Sequence, residues 1–84
     1  MALPGITAAR LVLDEYEENR SISERALTLY LIQLAQACSD GAGNIHRLPT
    51  PEEHTLLRSK AETLTQWEYK VGLQREVVAF MEDT

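Results

Sequence analysis

Residues able to do chemistry are few in this chain, and they gather in two places. The stretch "LVLDEYEENRS" (residues 11–21) sets four carboxylates, Asp14, Glu15, Glu17 and Glu18, into five consecutive positions. Further on, Cys38, His46, Glu53 and His54 fall within residues 38–54. Clustered carboxylates can ligate a hard cation, act as an acid–base pair, or steer a basic partner. A cysteine with two histidines can hold zinc or arm a thiol nucleophile.

Neither set meets the demands of those chemistries. A cation site needs a loop that wraps oxygens around the ion, and 14–18 sits in a helical pattern. Structural zinc usually wants four closely spaced ligands. Cys38 closes the apolar side of a helix, where burial and the negative helix terminus both oppose a thiolate. The expectation is a core cysteine flanked by two solvent histidines. A Gly-rich phosphate loop, Cys-x-x-Cys, His-Glu-x-x-His and an EF-hand loop are all missing from the sequence. Three residues after Glu24, Glu52 and Glu53 stand Leu27, Thr55 and Leu56, so the Glu-x-x-His of di-iron bundles is missing too. With no convergent nucleophile, base and oxyanion donors, the chain reads as non-enzymatic, with no catalytic, cofactor-binding or metal site.

The elements that must position these residues all read as helices. No β-branched alternation extends over a useful length, and the chain shows no internal repeat. A first, short helix is expected over about 7–19, after the Pro4-Gly5 breaker. It puts Ile6, Ala8, Ala9, Val12, Leu13 and Tyr16 on one side and the acids on the other, with Leu11 exposed among them. A middle helix is expected over about 22–38, opened by a Ser21–Glu24 capping box. Gly41 and Gly43 offer cheap positive φ in a loop over 39–49. The best start signal is "LPTPEEH": Thr50 caps, Pro51 takes the first helical position, and Glu53 completes a box. A long helix then runs over about 51–81 through Leu57, Ala61, Leu64, Trp67, Val71, Val78 and Met81, on the order of 45 Å. Trp67 is expected in the core, and Gly72 reads as a tolerated helix glycine.

The expected fold is therefore a single all-α domain over 1–84: three helices, the middle and long ones forming an antiparallel hairpin, and dimeric. Two arguments favour the second chain. The middle helix spans only roughly 26 Å, so half of the long helix would overhang it. Both helices also carry apolar residues outside their core sides, namely Leu29 and Ile32 on one and Tyr69, Leu73, Val77 and Phe80 on the other. These six form the expected partner or dimer interface. Leu11, Asp14, Glu15, Glu17 and Glu18 form the expected acidic recognition patch. Placed in the closing turns of a short helix, the acids would oppose the helix dipole, and each surface pairing is too weak, about 0.2–0.5 kcal/mol, to account for them.

Composition limits what such a protein can do. Thirteen acids against eight Lys and Arg leave a net charge of -5, and the bases are scattered, which disfavours direct nucleic-acid binding. The longest apolar run, "ALTLYLIQLAQAC", is 13 residues, short of the roughly 20 a membrane span needs. One cysteine and no basic-then-apolar leader in "MALPGITAA" point to the cytoplasm. In size, acidity and helix layout the chain looks like compact helical proteins of bacteria and phages, such as secretion chaperones with a helical hairpin or inhibitors of host machinery. The expected function is a regulator, inhibitor or chaperone-like adaptor that works by protein interaction and needs no cofactor. The alternative is a nucleic-acid-binding transcriptional regulator, or an acidic mimic that occupies a nucleic-acid site on another protein.

Overall fold

A computed structural model of the chain describes residues 4–83. Met1 to Leu3, which open the segment read for a leader, lie outside the described residues. Two helices of equal length fill most of the rest: α1, Ile6–Cys38, and α2, Pro51–Asp83, each of 33 residues. They pack side by side as an antiparallel hairpin of 61 × 23 × 15 Å.

The three-helix expectation is overturned, because the segments 7–19 and 22–38 are one continuous helix. Ser-x-x-Glu at 21–24 is not a cap; Ser21 is an exposed residue of the helix interior. Asn and Ser are indifferent helix formers, each costing about 0.5 kcal/mol against alanine, and Arg is a good one. With neither Gly nor Pro in 6–38, packing against a neighbouring helix overrides so small a preference. The overhang disappears with the break, since α2 has a partner along its whole length.

Alternating steps of three and four residues make the seam. In α1 it runs through Ala9, Leu13, Tyr16, Arg20, Ser23, Leu27, Tyr30 and Leu34, all buried or half-buried. In α2 it runs through Leu57, Lys60, Leu64, Trp67, Val71, Gln74, Val78 and Met81. This 3.5-residue repeat keeps one stripe of each helix facing the other, as in a coiled coil. Register is fixed at several levels. The rings of Tyr16 and Trp67 lie 5.7 Å apart, Gln74 Nε2 donates to the Ala9 carbonyl at 2.9 Å, and the Tyr30 hydroxyl donates to the Glu53 carbonyl at 3.3 Å. Val71 is the most deeply buried residue, at 2% exposure.

The seam is not wholly apolar. Arg20 enters it one turn from Tyr16, and its Nε is buried without a hydrogen-bond partner. Lys60 turns its ammonium over the Tyr30 ring at 5.7 Å, and Lys70 does the same to Trp67 at 4.5 Å.

Cys38 and the loop close the hairpin. Asp40 gathers it: the backbone N–H groups of Ala42 and Asn44 donate to its Oδ1, both at 2.9 Å, and the Asn44 amide to its Oδ2. These bonds, Asn44's first, hold the Asp40 carboxyl below its ordinary range. Gly43 takes φ 89, whereas Gly41, expected to share that role, has no positive φ. The Thr50–Glu53 box forms as read from the sequence, with Thr50 N–H donating to Glu53 Oε1 at 2.8 Å and Glu53 N–H to Thr50 Oγ1 at 3.2 Å.

Candidate interaction surface

Where the seam positions are labelled a and d, the residues beside them fall on two flanks of the hairpin. Positions b and e of both helices share one flank, as two ion pairs across it demonstrate: Arg10–Glu82 at 2.6 Å and Arg75–Glu17 at 3.1 Å. Asp14, Glu24, Arg58 and Glu68 lie on the same side. Positions c and g share the other flank, and a groove of about 300 Å³ across it is lined from α1 by Ile22 and Ala26 and from α2 by Leu56, Ser59 and Thr63.

The two flanks differ sharply in chemistry. The b/e flank carries eight charges, four of them in the two ion pairs, and one exposed leucine, Leu31. The c/g flank carries exposed Ile22, Leu29, Leu56, Leu73, Val77 and Phe80. Its charges are Glu15 near one end, Lys70 at nearly the same level on the other helix, and Glu52 in the first turn of α2. Glu15 and Lys70 are in no ion pair among the described residues; Lys70 stacks on Trp67.

Of the six interface residues expected from the sequence, the structure brings Leu29, Leu73, Val77 and Phe80 onto this apolar flank. Ile32 and Tyr69 are exposed at f positions, on the backs of their helices. Leu29 and Leu73 belong to different helices and lie about 28 Å apart along the rod, at 1.5 Å per residue. Two members were missed, Ile22 and Leu56. Ile22 stands one heptad before Leu29, and Leu56 three heptads before Val77; a constant seven-residue spacing was the signal.

The acidic segment is placed differently from expectation. Residues 14–18 lie in the interior of α1, beyond the single turn over which a terminal dipole acts, so the conflict with the helix end vanishes. Asp14, Glu15 and Glu18 are exposed, and Leu11 is 64% exposed beside them. Glu17 is half-buried and neutralised by Arg75. Arg10, four residues before Asp14, reaches across to Glu82 instead. The acids are thus divided among the charged flank, the apolar flank and the back of α1.

The cysteine and histidine set is dispersed. Cys38 is buried. His46 meets it through the backbone, its N–H donating to the Cys38 carbonyl at 2.9 Å, and His54 is exposed on the first turn of α2. Glu53 is held by Arg47, whose Nη1 and Nη2 donate to its two oxygens at 2.7 and 3.1 Å. That forked contact, with the Thr50 N–H behind it, lowers the Glu53 carboxyl to about 2. Among the described residues no three His, Cys, Asp or Glu side chains gather as a metal site would require, and no helix is long and apolar enough to cross a membrane. No family model, curated protein or solved structure matches the chain.

Proposed function

We propose that the chain is a non-enzymatic protein-interaction module, a helical hairpin that acts in the cytoplasm as a regulator, inhibitor or chaperone-like adaptor of the bacterial or phage kind. The observation that carries this reading is the division between the flanks. Two exposed apolar groups on one flank, Ile22, Leu29 and Leu56 toward the loop and Leu73, Val77 and Phe80 toward the other end, lie opposite a flank that carries eight charges, four of them in two ion pairs. Scattered surface leucines are ordinary; exposed apolar groups gathered on one flank are the signature of a protein contact. The exposed acids at 14, 15 and 18 add a negative field near one end that favours basic surfaces.

The competing nucleic-acid readings draw less support. A helix-turn-helix needs a turn near 19–21, where the backbone is helical. A phosphate mimic needs its carboxylates free and aligned, and Glu17 is bound to Arg75. A benzophenone amino acid placed at position 29 or 73 should give discrete photo-adducts with protein in the cells that make the chain, whereas the same probe at Thr65, on the charged flank, should not. Absence of any adduct from positions 29 and 73 would overturn the reading.

A further inference from the structure

We infer that the partner on the apolar flank is a second copy of this chain, packed flank to flank with its loop at the same end, to give a four-helix bundle with its two-fold axis along the rod. The inference rests on the reading of the chain as a protein-interaction module, and it names the partner.

Area is the first argument. The chain exposes 6203 Å², where a compact monomer of its mass exposes about 5,000 Å². The surplus, about 1,200 Å², exceeds the roughly 800 Å² that each partner gives to a standard interface. The radius of gyration, 18.7 Å, compares with about 12 Å for a compact chain of this length. Doubling the rod across its thin direction supplies the missing layer. It also explains why both helices carry apolar residues at c and g as well as a and d, the wider stripe that a helix shows when it packs against more than one neighbour.

Charge complementarity fixes the orientation. With the two-fold along the rod, α1 of one copy lies against α2 of the other at the same level. The register that pairs Tyr16 with Trp67 and Ala9 with Gln74 then sets Glu15 opposite Lys70 of the second copy. It also sets Leu29 against Leu56, and both matches fall within about two residues of axial rise. Glu15 and Lys70 are thus matched, and the two-fold makes that match occur twice. In the opposite orientation, with loops at opposite ends, α1 meets α1 about its midpoint near Ile22. Glu15 is then buried against Leu29, an unpaired charge in an apolar contact.

Light scattering at tens of micromolar should give twice the 9.5 kDa of the chain. Leu29→Glu with Leu73→Glu should give monomer, while Ile32→Glu with Tyr69→Glu, on the backs, should leave the mass unchanged. Glu15→Lys and Lys70→Glu should each weaken the dimer about tenfold or more, and the double swap should restore it, which loss of folding could not do. Spin labels at Asn44→Cys, in a Cys38→Ala background, should lie within about 30 Å of each other, given helix layers 8–10 Å apart. A label distance near the 61 Å length of the rod would overturn the orientation. A monomer at that concentration would overturn self-association. If benzophenone adducts at 29 and 73 then appear with some other protein, the interaction-module reading stands and only this inference falls.

Discussion

Replacing Gly72 by alanine should stabilise this protein, and the result tests which flank is open. Gly72 occupies a b position on the charged flank, inside α2, with helical backbone. A Cβ added there meets nothing within 4 Å beyond its own helix. Glycine in a helix interior costs about 0.5–1 kcal/mol relative to alanine, because the unfolded chain loses more freedom on folding. With no contact to offset it, the full gain should be realised, and for a chain of this size 1 kcal/mol corresponds to roughly 4–8 °C in Tm. Circular dichroism at 222 nm during heating, at one fixed concentration because association shifts Tm, measures it directly. A rise of a few degrees supports an open charged flank. A fall, or a change in mass by light scattering, would refute the reasoning, since only close approach of another chain at Gly72 could make a methyl group unwelcome there.

Two further predictions concern the seam and the loop. Arg20→Leu should raise stability by about 1–3 kcal/mol, because a buried donor without a partner is removed and an apolar side chain joins the seam; urea denaturation that gives a lower midpoint for the variant would disprove this. The Glu53 carboxyl should titrate in the folded protein near 2, followed by its side-chain carbon resonance. Its folded value is depressed, so its contribution to stability is complete above about 4.5 and is lost as the pH falls toward 2. The advantage of the wild type over Glu53→Gln should shrink across that window, and a midpoint near 4.5 would remove the basis for it.

How much of this was legible in the sequence varied with the kind of signal. The start of α2 was read correctly because Thr50, Pro51 and Glu53 are local devices whose partners lie within four residues. The loop over 39–49 was legible for the same reason. The break at 19–21 was misread because Ser21–Glu24 matches a cap pattern that helix interiors also contain, and the choice between the two is made by the other helix. The evidence against a break was in the spacing: Tyr16, Arg20, Ser23 and Leu27 keep the three–four rhythm without a phase shift, but two of them are polar and masked it. That error also created the apparent clash of Asp14, Glu15, Glu17 and Glu18 with a helix terminus. Exposed leucines were found, yet their sorting onto one flank was not, because it depends on the register between helices. Ile32 and Tyr69 were therefore grouped with Leu29 and Leu73, from which a rotation about the helix axis separates them.

The position of the loop gives the hairpin an order of assembly. Contacts near it join residues close in sequence, Tyr30 with Glu53 across 23 positions, whereas the far end joins Ala9 to Gln74 across 65 and Arg10 to Glu82 across 72. Closing a short loop first and lengthening the pairing stepwise avoids the entropy of one long closure. Opening runs the other way: the free ends can fray while the loop end stays zipped, but the loop end cannot melt alone without leaving a long closed ring. Amide hydrogens should accordingly exchange in a gradient along the rod, slowest beside Tyr30 and Leu57 and fastest beyond Ala9 and Val78. The acidic stretch of α1 lies toward the end that lets go first.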